Sequence, residues 1–191
     1  VAGLGLSIRR PTLCSGCPHR ASFFAIKKAF PNGIFPSDIG CYTLGMNLES
    51  VDTCHDMGGA ITFASGLYQA YHQDGQEVPI IATIGDSTFY HSGAQGLLNA
   101  VYNGAKFVLV ILDNSIVAMT GMQPPPESGV TADGHSGKPL SLEELVKGCG
   151  VKYLRVVDPY DIQAMIQEVE KAYKYTQQRE GGMAALIARY P

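Results

Sequence analysis

The stretch "IGDSTFYHSGAQGLLNAVYNGAKFVLVILDNSIVAMTG" (residues 84–121) joins the end of one apolar run to a helical pattern and a second apolar run. "VPIIATIGD" (78–86) and "KFVLVILDN" (106–114) are continuous apolar segments of strand length, the pattern of strands buried on both faces. Between them "GAQGLLNAVYNGA" (93–105) has helical spacing. A strand–helix–strand unit can set its two strand ends side by side. Here one end carries Asp86 and the other Asp113-Asn114. Asp86 offers a carboxylate oxygen, Asn114 an amide oxygen and Ile116 its backbone carbonyl. Three hard oxygens with open positions suit Mg²⁺, which keeps waters or phosphate oxygens in the rest of its octahedron. A helix beginning near Ser92 would aim free N–H groups at the same place, and such termini attract phosphate. Gly-Asp-Ser alone, or Asp-Asn alone, is an ordinary turn. Their joint occurrence across one such unit favours the metal and phosphate reading.

Outward from this unit the alternation continues. "ASFFAIKKAF" (21–30) is helical and stops at Pro31-Asn32-Gly33, and "GIFPSDIGC" (33–41) reads as a short strand running into a loop. "MGGAITFASGLYQAYHQ" (57–73) is a helix with small residues on one face. Residues 115–138 form a long Pro- and Gly-rich loop, a length that is usually functional or mobile. "SLEELVKGCG" (141–150) is a short helix capped by Ser141 with Glu144 three on. "KYLRVV" (152–157), "DPYDIQAMIQEVEKAYKYTQQ" (158–178) and "MAALIARY" (183–190) read as strand, helix and strand. The expected fold class is α/β, three layers, with a mostly parallel sheet and helices on both faces. Residues 1–191 are expected to form one domain. The outer stretches "VAGLGLSIRRP" and "ARYP" look like cuts in a longer subunit.

Composition narrows the function classes. The chain is 46% hydrophobic and 16% charged, with a net charge of −3, so it has no basic footprint for nucleic acid. Its apolar runs, such as "FVLVIL" (107–112), are too short to span a bilayer, and no signal-peptide pattern opens the chain. Five cysteines, an odd count, argue for a reducing cytoplasm rather than a disulfide framework.

"TLCSGCPHR" (12–20) contributes Cys14 and Cys17, and Cys41 follows. Haem attachment is disfavoured because Pro18 separates the second cysteine from His19. A thioredoxin-like pair is disfavoured because no strand pattern precedes Cys14. Zinc, held by three thiolates and His55, and an iron–sulfur cluster both stay open. Cys54 in "DTCHDMGGA" is either a small buried hydrophobe or a cofactor-facing thiol, and Cys149 reads as structural. His91, beside Asp86, is the first candidate to face a pocket and move a proton, unless it only starts a helix in solvent. His55 and His19 come next, while His72 and His135 read as solvated.

Gly-Asp-Ser through Asp113-Asn114 resembles the thiamine-diphosphate motif, usually Gly-Asp-Gly through Asn-Asn. The departures are Ser87 and Asp113, neither of them a metal position. "NSIVAMTGMQ", "DIGCYTLG" and "CSGCPHR" narrow the match. With them, nearly all of residues 9–191 resembles the diphosphate-binding domain of 2-oxoacid:ferredoxin oxidoreductases, above all the large (alpha) subunit of the indolepyruvate branch. The resemblance implies Mg²⁺ on Asp86, Asn114 and the Ile116 carbonyl. It implies thiamine diphosphate against Gly85, Ser87, Thr88, Thr120 and Gly121, with Cys54 nearby and His91 and His55 as catalytic candidates. It favours a [4Fe–4S] cluster on Cys14, Cys17 and Cys41, its fourth thiolate being absent unless Cys54 or Cys149 substitutes. The implied reaction is oxidative decarboxylation of an aryl 2-oxoacid such as indolepyruvate, with coenzyme A taking the acyl group and ferredoxin the electrons. A pyrimidine-binding domain and a small subunit would complete the site, in a homodimer or higher assembly, so the chain alone is expected to be inactive. The rival readings are a non-catalytic metal or Fe–S module of the same fold, and a different thiamine-dependent decarboxylase.

Overall fold

A computed structural model describes residues 10–190 together with Gly3 and Gly5. The outermost residues of the expected domain, Val1 and Pro191 among them, lie outside that set. Six strands form one parallel sheet in the order β2-β1-β3-β4-β6-β5. The strands are β1 (Pro36–Ser37), β2 (Thr53–Cys54), β3 (Ile81–Gly85), β4 (Val108–Asp113), β5 (Tyr153–Val157) and β6 (Ala184–Arg189). The sheet is all parallel where a mostly parallel one was expected.

The central strands alternate their side chains into two separate cores. Ile80, Ala82, Ile84, Leu109, Ile111, Ala185 and Ile187 meet α2 (Gly59–Gln73), α4 (Ala94–Tyr102) and α5 (Leu142–Gly148) on one face. Ile81, Val108, Val110, Leu112, Ala184, Leu186 and Ala188 meet α1 (Pro18–Ala29) and α6 (Ile162–Thr176) on the other. Burial on both faces explains why β3, β4 and β6 read as unbroken apolar runs. The three-layer α/β expectation is therefore met.

Several local expectations are amended. α1 begins at Pro18, not residue 21, because proline fits the first helical position, where no N–H is needed; Cys17 is its N-cap. The expected strand over 33–41 is reduced to Pro36–Ser37 plus an isolated bridge from Ile34 to Ile80. Cys41–Leu48 forms a 3-10 helix that no periodicity announced. Helical backbone starts at Asp86, not near Ser92: α3 (Asp86–Thr88) leads through a π-helical turn, Phe89–Gly93, into α4. α5 carries the expected cap, Ser141 Oγ accepting the Glu144 N–H at 3.1 Å. Among the described residues, no helix is long and apolar enough to cross a membrane.

Candidate functional site

Register fixes the centre of the site. Gly85 pairs with Leu112 across β3 and β4, so the next residues along, Asp86 and Asp113, emerge as neighbours at the carboxyl edge of the sheet. Both are buried, at 3% and 1% exposure. Ser115, in a left-handed conformation at φ 55°, ties them together. Its N–H donates to Asp86 Oδ2 and to Asp113 Oδ1, each at 3.0 Å. Asp86 Oδ1 also accepts the Ser87 N–H at 2.7 Å.

Asp113 is balanced on its far side by Arg189 at the end of β6, whose Nε donates to Asp113 Oδ2 at 2.5 Å. The same guanidinium forks onto Glu143 of α5, at 2.7 and 3.2 Å. A further carboxylate comes from the loop after β4. Oxygens of Asp86, Asp113 and Glu127 gather within 4.8 Å of one another. Both Glu127 oxygens are buried without a hydrogen-bond partner. Glu127 and Asp86 face each other with no donor between them, so only a shared proton or a cation can reconcile them. Burial, with the charges of Glu127 and Asp113 adding, pushes the Asp86 carboxyl up to about 7. Burial likewise raises Glu127. Against the four carboxylates of Asp86, Asp113, Glu127 and Glu143 stands the Arg189 guanidinium, which reaches Asp113 and Glu143 only. That surplus of buried, hard, anionic oxygen fits a divalent cation such as Mg²⁺.

A cleft of about 120 Å³ opens beside this cluster. Asp86, Ser87, Thr88, Asn114, Ile116 and Thr120 line it, so the structure brings together six of the residues singled out from the sequence. Gly85 lines it too. A Cβ there would stand 2.4 Å from the Tyr42 ring, which explains the glycine by close approach rather than by backbone angle. Gly121, at φ +121°, sits just beyond Thr120 and is exposed. Thr120 Oγ1 and backbone O are both held by the Gln123 amide, at 2.5 and 2.8 Å.

The histidines fall differently from expectation. His91 is exposed on the π-turn and His55 is exposed against Phe63, with ring centroids 4.8 Å apart; neither lines the cleft. The cleft histidine is His19, which is buried, packs edge-on to Tyr42 and is pushed down to about 4 by burial, so it is neutral at pH 7. His19 was a lesser candidate in the sequence, and Tyr42 was not singled out at all. Its hydroxyl shares a 2.9 Å hydrogen bond with Thr88 Oγ1 and donates to the Ile39 carbonyl. Asp38, fully buried, accepts the Gly58 N–H at 2.8 Å and so anchors the approach to α2. Asp38 and Tyr42 both lie in the "DIGCYTLG" stretch, the available signal; Glu127 gave none.

All five cysteines are free thiols. Cys14 and Cys17 bracket a turn closed by the Cys17 N–H to the Cys14 carbonyl at 3.2 Å, and Arg20 Nε donates to that same carbonyl at 3.0 Å. Cys41 lines the cleft, and its thiol is pushed up by burial with Cys17 and Cys14 adding, which places the three thiols in one neighbourhood. Cys54 Sγ lies 3.3 Å from the Asp38 carbonyl and outside the cleft lining. Cys17, Cys41 and Cys54 pack on the α1/α6 core, whereas Cys149 belongs to the opposite core.

Comparison with known proteins places this geometry. The family model for the C-terminal TPP-binding domain of thiamine pyrophosphate enzymes matches residues 38–182. This chain belongs to that family, the thiamine-diphosphate-binding domains. Among curated relatives it is similar to the indolepyruvate oxidoreductase subunits IorA of Archaeoglobus fulgidus, 47% identical over 96% of this chain, and of Thermococcus kodakarensis, 49% identical over 95%. The chain spans only 29% of the length of each. Among solved structures, 2-oxoglutarate:ferredoxin oxidoreductase from Magnetococcus marinus shares the fold. Its TM-score is 0.78 at 18% identity, over 95% of this chain and 64% of that one.

Proposed function

We propose that this chain binds thiamine diphosphate through Mg²⁺ and serves as the cofactor module of an oxidative 2-oxoacid decarboxylation of the indolepyruvate type. One observation carries the reading: Asp86, Ser87, Thr88, Asn114, Ile116 and Thr120, from two strand ends and a loop, line one cleft beside a buried anionic cluster. Asp86, Asn114 and the Ile116 carbonyl would hold the cation. Ser87, Thr88, Thr120 and Gly121 would lie against the diphosphate. When bound, thiamine diphosphate supplies carbanion stabilisation at the substrate carbonyl carbon.

The rest is the work of this chain's residues. Tyr42 orients the Thr88 hydroxyl, and Ile39, Met57, Leu112 and Met119 make the cleft apolar where water must be kept out. His19, neutral in the wall, can accept or donate a hydrogen bond without bringing charge to the cleft. Cys14, Cys17 and Cys41 would hold a [4Fe–4S] acceptor, with ferredoxin and coenzyme A as the further reactants. The names of the archaeal relatives support the aryl substrate class. A pyrimidine-binding domain, a small subunit and self-association complete the proposed assembly. The chain alone is then expected to bind cofactor without turnover. Its five free thiols support a reducing, cytoplasmic setting.

Calorimetric titration tests the reading. Thiamine diphosphate is expected to bind with Mg²⁺ and not with chelator, and Asp86→Asn should weaken it by about tenfold or more, through loss of a charged ligand. No heat and no rise in melting temperature at millimolar cofactor would overturn it.

A further inference from the structure

Glu127 has no place in the ligand set just described, yet its carboxylate is the least satisfied polar group of the site. It lies on a single 3-10 turn, Pro126–Ser128, entered through Pro124 and Pro125. That stiff approach holds the carboxylate inward: both oxygens are buried and neither meets a donor. What they meet is Asp86 and Asp113, with an oxygen from each of the three within 4.8 Å of the others. Opposite ligands of one Mg²⁺ stand about 4.2 Å apart, and of one Ca²⁺ about 4.8 Å, twice the metal–oxygen distances. Only one pair of the three can stand opposite, the other oxygens of one Mg²⁺ lying about 3 Å apart, so a shared ion would draw the three groups inward. Asp86 Oδ2 takes only the Ser115 N–H; Asp113 Oδ1 already takes the Ser115 N–H and hydroxyl, and Asp113 Oδ2, which accepts from Arg189 Nε, keeps one lone pair free.

We propose that Glu127 is a third carboxylate ligand of the cation, and that Asp86, Asp113 and Glu127 bind a divalent ion before and without thiamine diphosphate. The inference takes Asp86 as a cation ligand from the reading above and adds a cofactor-independent site to it. Mg²⁺ bound by one carboxylate, an amide and a carbonyl leans on the diphosphate for the remaining charge. With three carboxylates the protein supplies that charge itself, so the loop after β4 closes on the metal rather than on the cofactor.

Mn²⁺ is the probe, followed as loss of the free-ion paramagnetic resonance signal with no thiamine diphosphate present. The wild-type chain is expected to bind one Mn²⁺, displaceable by Mg²⁺. Glu127→Gln, isosteric and on a loop, should raise the dissociation constant about tenfold or more. Glu144→Gln, on the exposed face of α5, should leave it unchanged. Thermal melts establish that the variants fold. Should Glu127→Gln fail to fold, Glu127→Asp, which keeps the charge and shortens the reach, takes its place with the same expectation. Absence of Mn²⁺ binding by the wild type overturns the proposal, and so does a dissociation constant for the Glu127 variant within twofold of wild type. Thiamine diphosphate uptake with Mg²⁺ is measured separately. Its failure alongside Glu127-dependent Mn²⁺ binding would count against the cofactor reading and leave this site standing.

Discussion

Gly85 and Tyr42 show how closely the cleft is built. The Tyr42 ring occupies the volume a side chain at 85 would need, and the ring is itself buried at 6% exposure, so it has nowhere to go. Gly85→Ala is expected to cost about 1–3 kcal/mol by overpacking, read from urea unfolding. A cost below about 0.5 kcal/mol would mean that the contact is not tight, since that is the range of a neutral substitution. At this scale the sequence told much about the proposed ligands and little about the walls around them. Asp86, Asn114 and Ile116 follow from the position of two strand ends. Glu127 does not, because a loop residue far along the chain carries no periodic trace of where it folds back. His91 misled for a different reason. Two residues along a helix is roughly half a turn, and Phe89 is fully buried, so His91 points outward.

Between elements, the link from Asp113 through Arg189 to Glu143 joins β4, β6 and α5 at the carboxyl edge of the sheet. The Arg189 guanidinium holds the Glu143 carboxyl below its ordinary value, the bidentate hydrogen bond being the main cause. A carboxylate with a depressed folded pKa stabilises the fold above its unfolded value and loses that contribution as pH falls through the folded one. Glu143→Gln should therefore be less stable than wild type at pH 7, with the gap closing as the pH drops below about 4.5, the ordinary glutamate value. Chemical unfolding at several pH values checks this, and a gap that stays constant with pH would contradict the ion-pair account. Elements themselves were legible in proportion to their length. β3, β4 and β6 announce themselves by unbroken apolar runs. β1 and β2 pair through two residues each, too few to leave a pattern. The 3-10 helix over Cys41–Leu48 lacks the 3.6-residue repeat by which helices are found.

Across the whole molecule, the sheet divides the thiols into two sets. Cys17, Cys41 and Cys54 lie toward the α1/α6 core, and Cys149 lies beyond the sheet, its Sγ 3.7 Å from the Ala94 carbonyl. The proposed cluster on Cys14, Cys17 and Cys41 thus has Cys54 on its own side of the sheet and Cys149 on the other. After anaerobic iron–sulfide reconstitution, Cys41→Ser should lose the charge-transfer absorption, and Cys149→Ala should keep it. Loss in Cys149→Ala with retention in Cys41→Ser would refute the assignment. The sequence read Cys149 as structural but left it open as a substitute thiolate, because only the topology tells which side of the sheet each cysteine reaches.

Cys41 and Tyr42 are consecutive on one short helix, the first among the thiols, the second hydrogen-bonded to Thr88. On the proposed function, thiol chemistry and the contact of Thr88 with the diphosphate would therefore meet one peptide unit apart. A shift of residue 41 on metal loading or oxidation would be expected to reach the Thr88 hydroxyl through the neighbouring Tyr42. On that reading, the redox state of the thiols would thereby be linked to the hold on the cofactor.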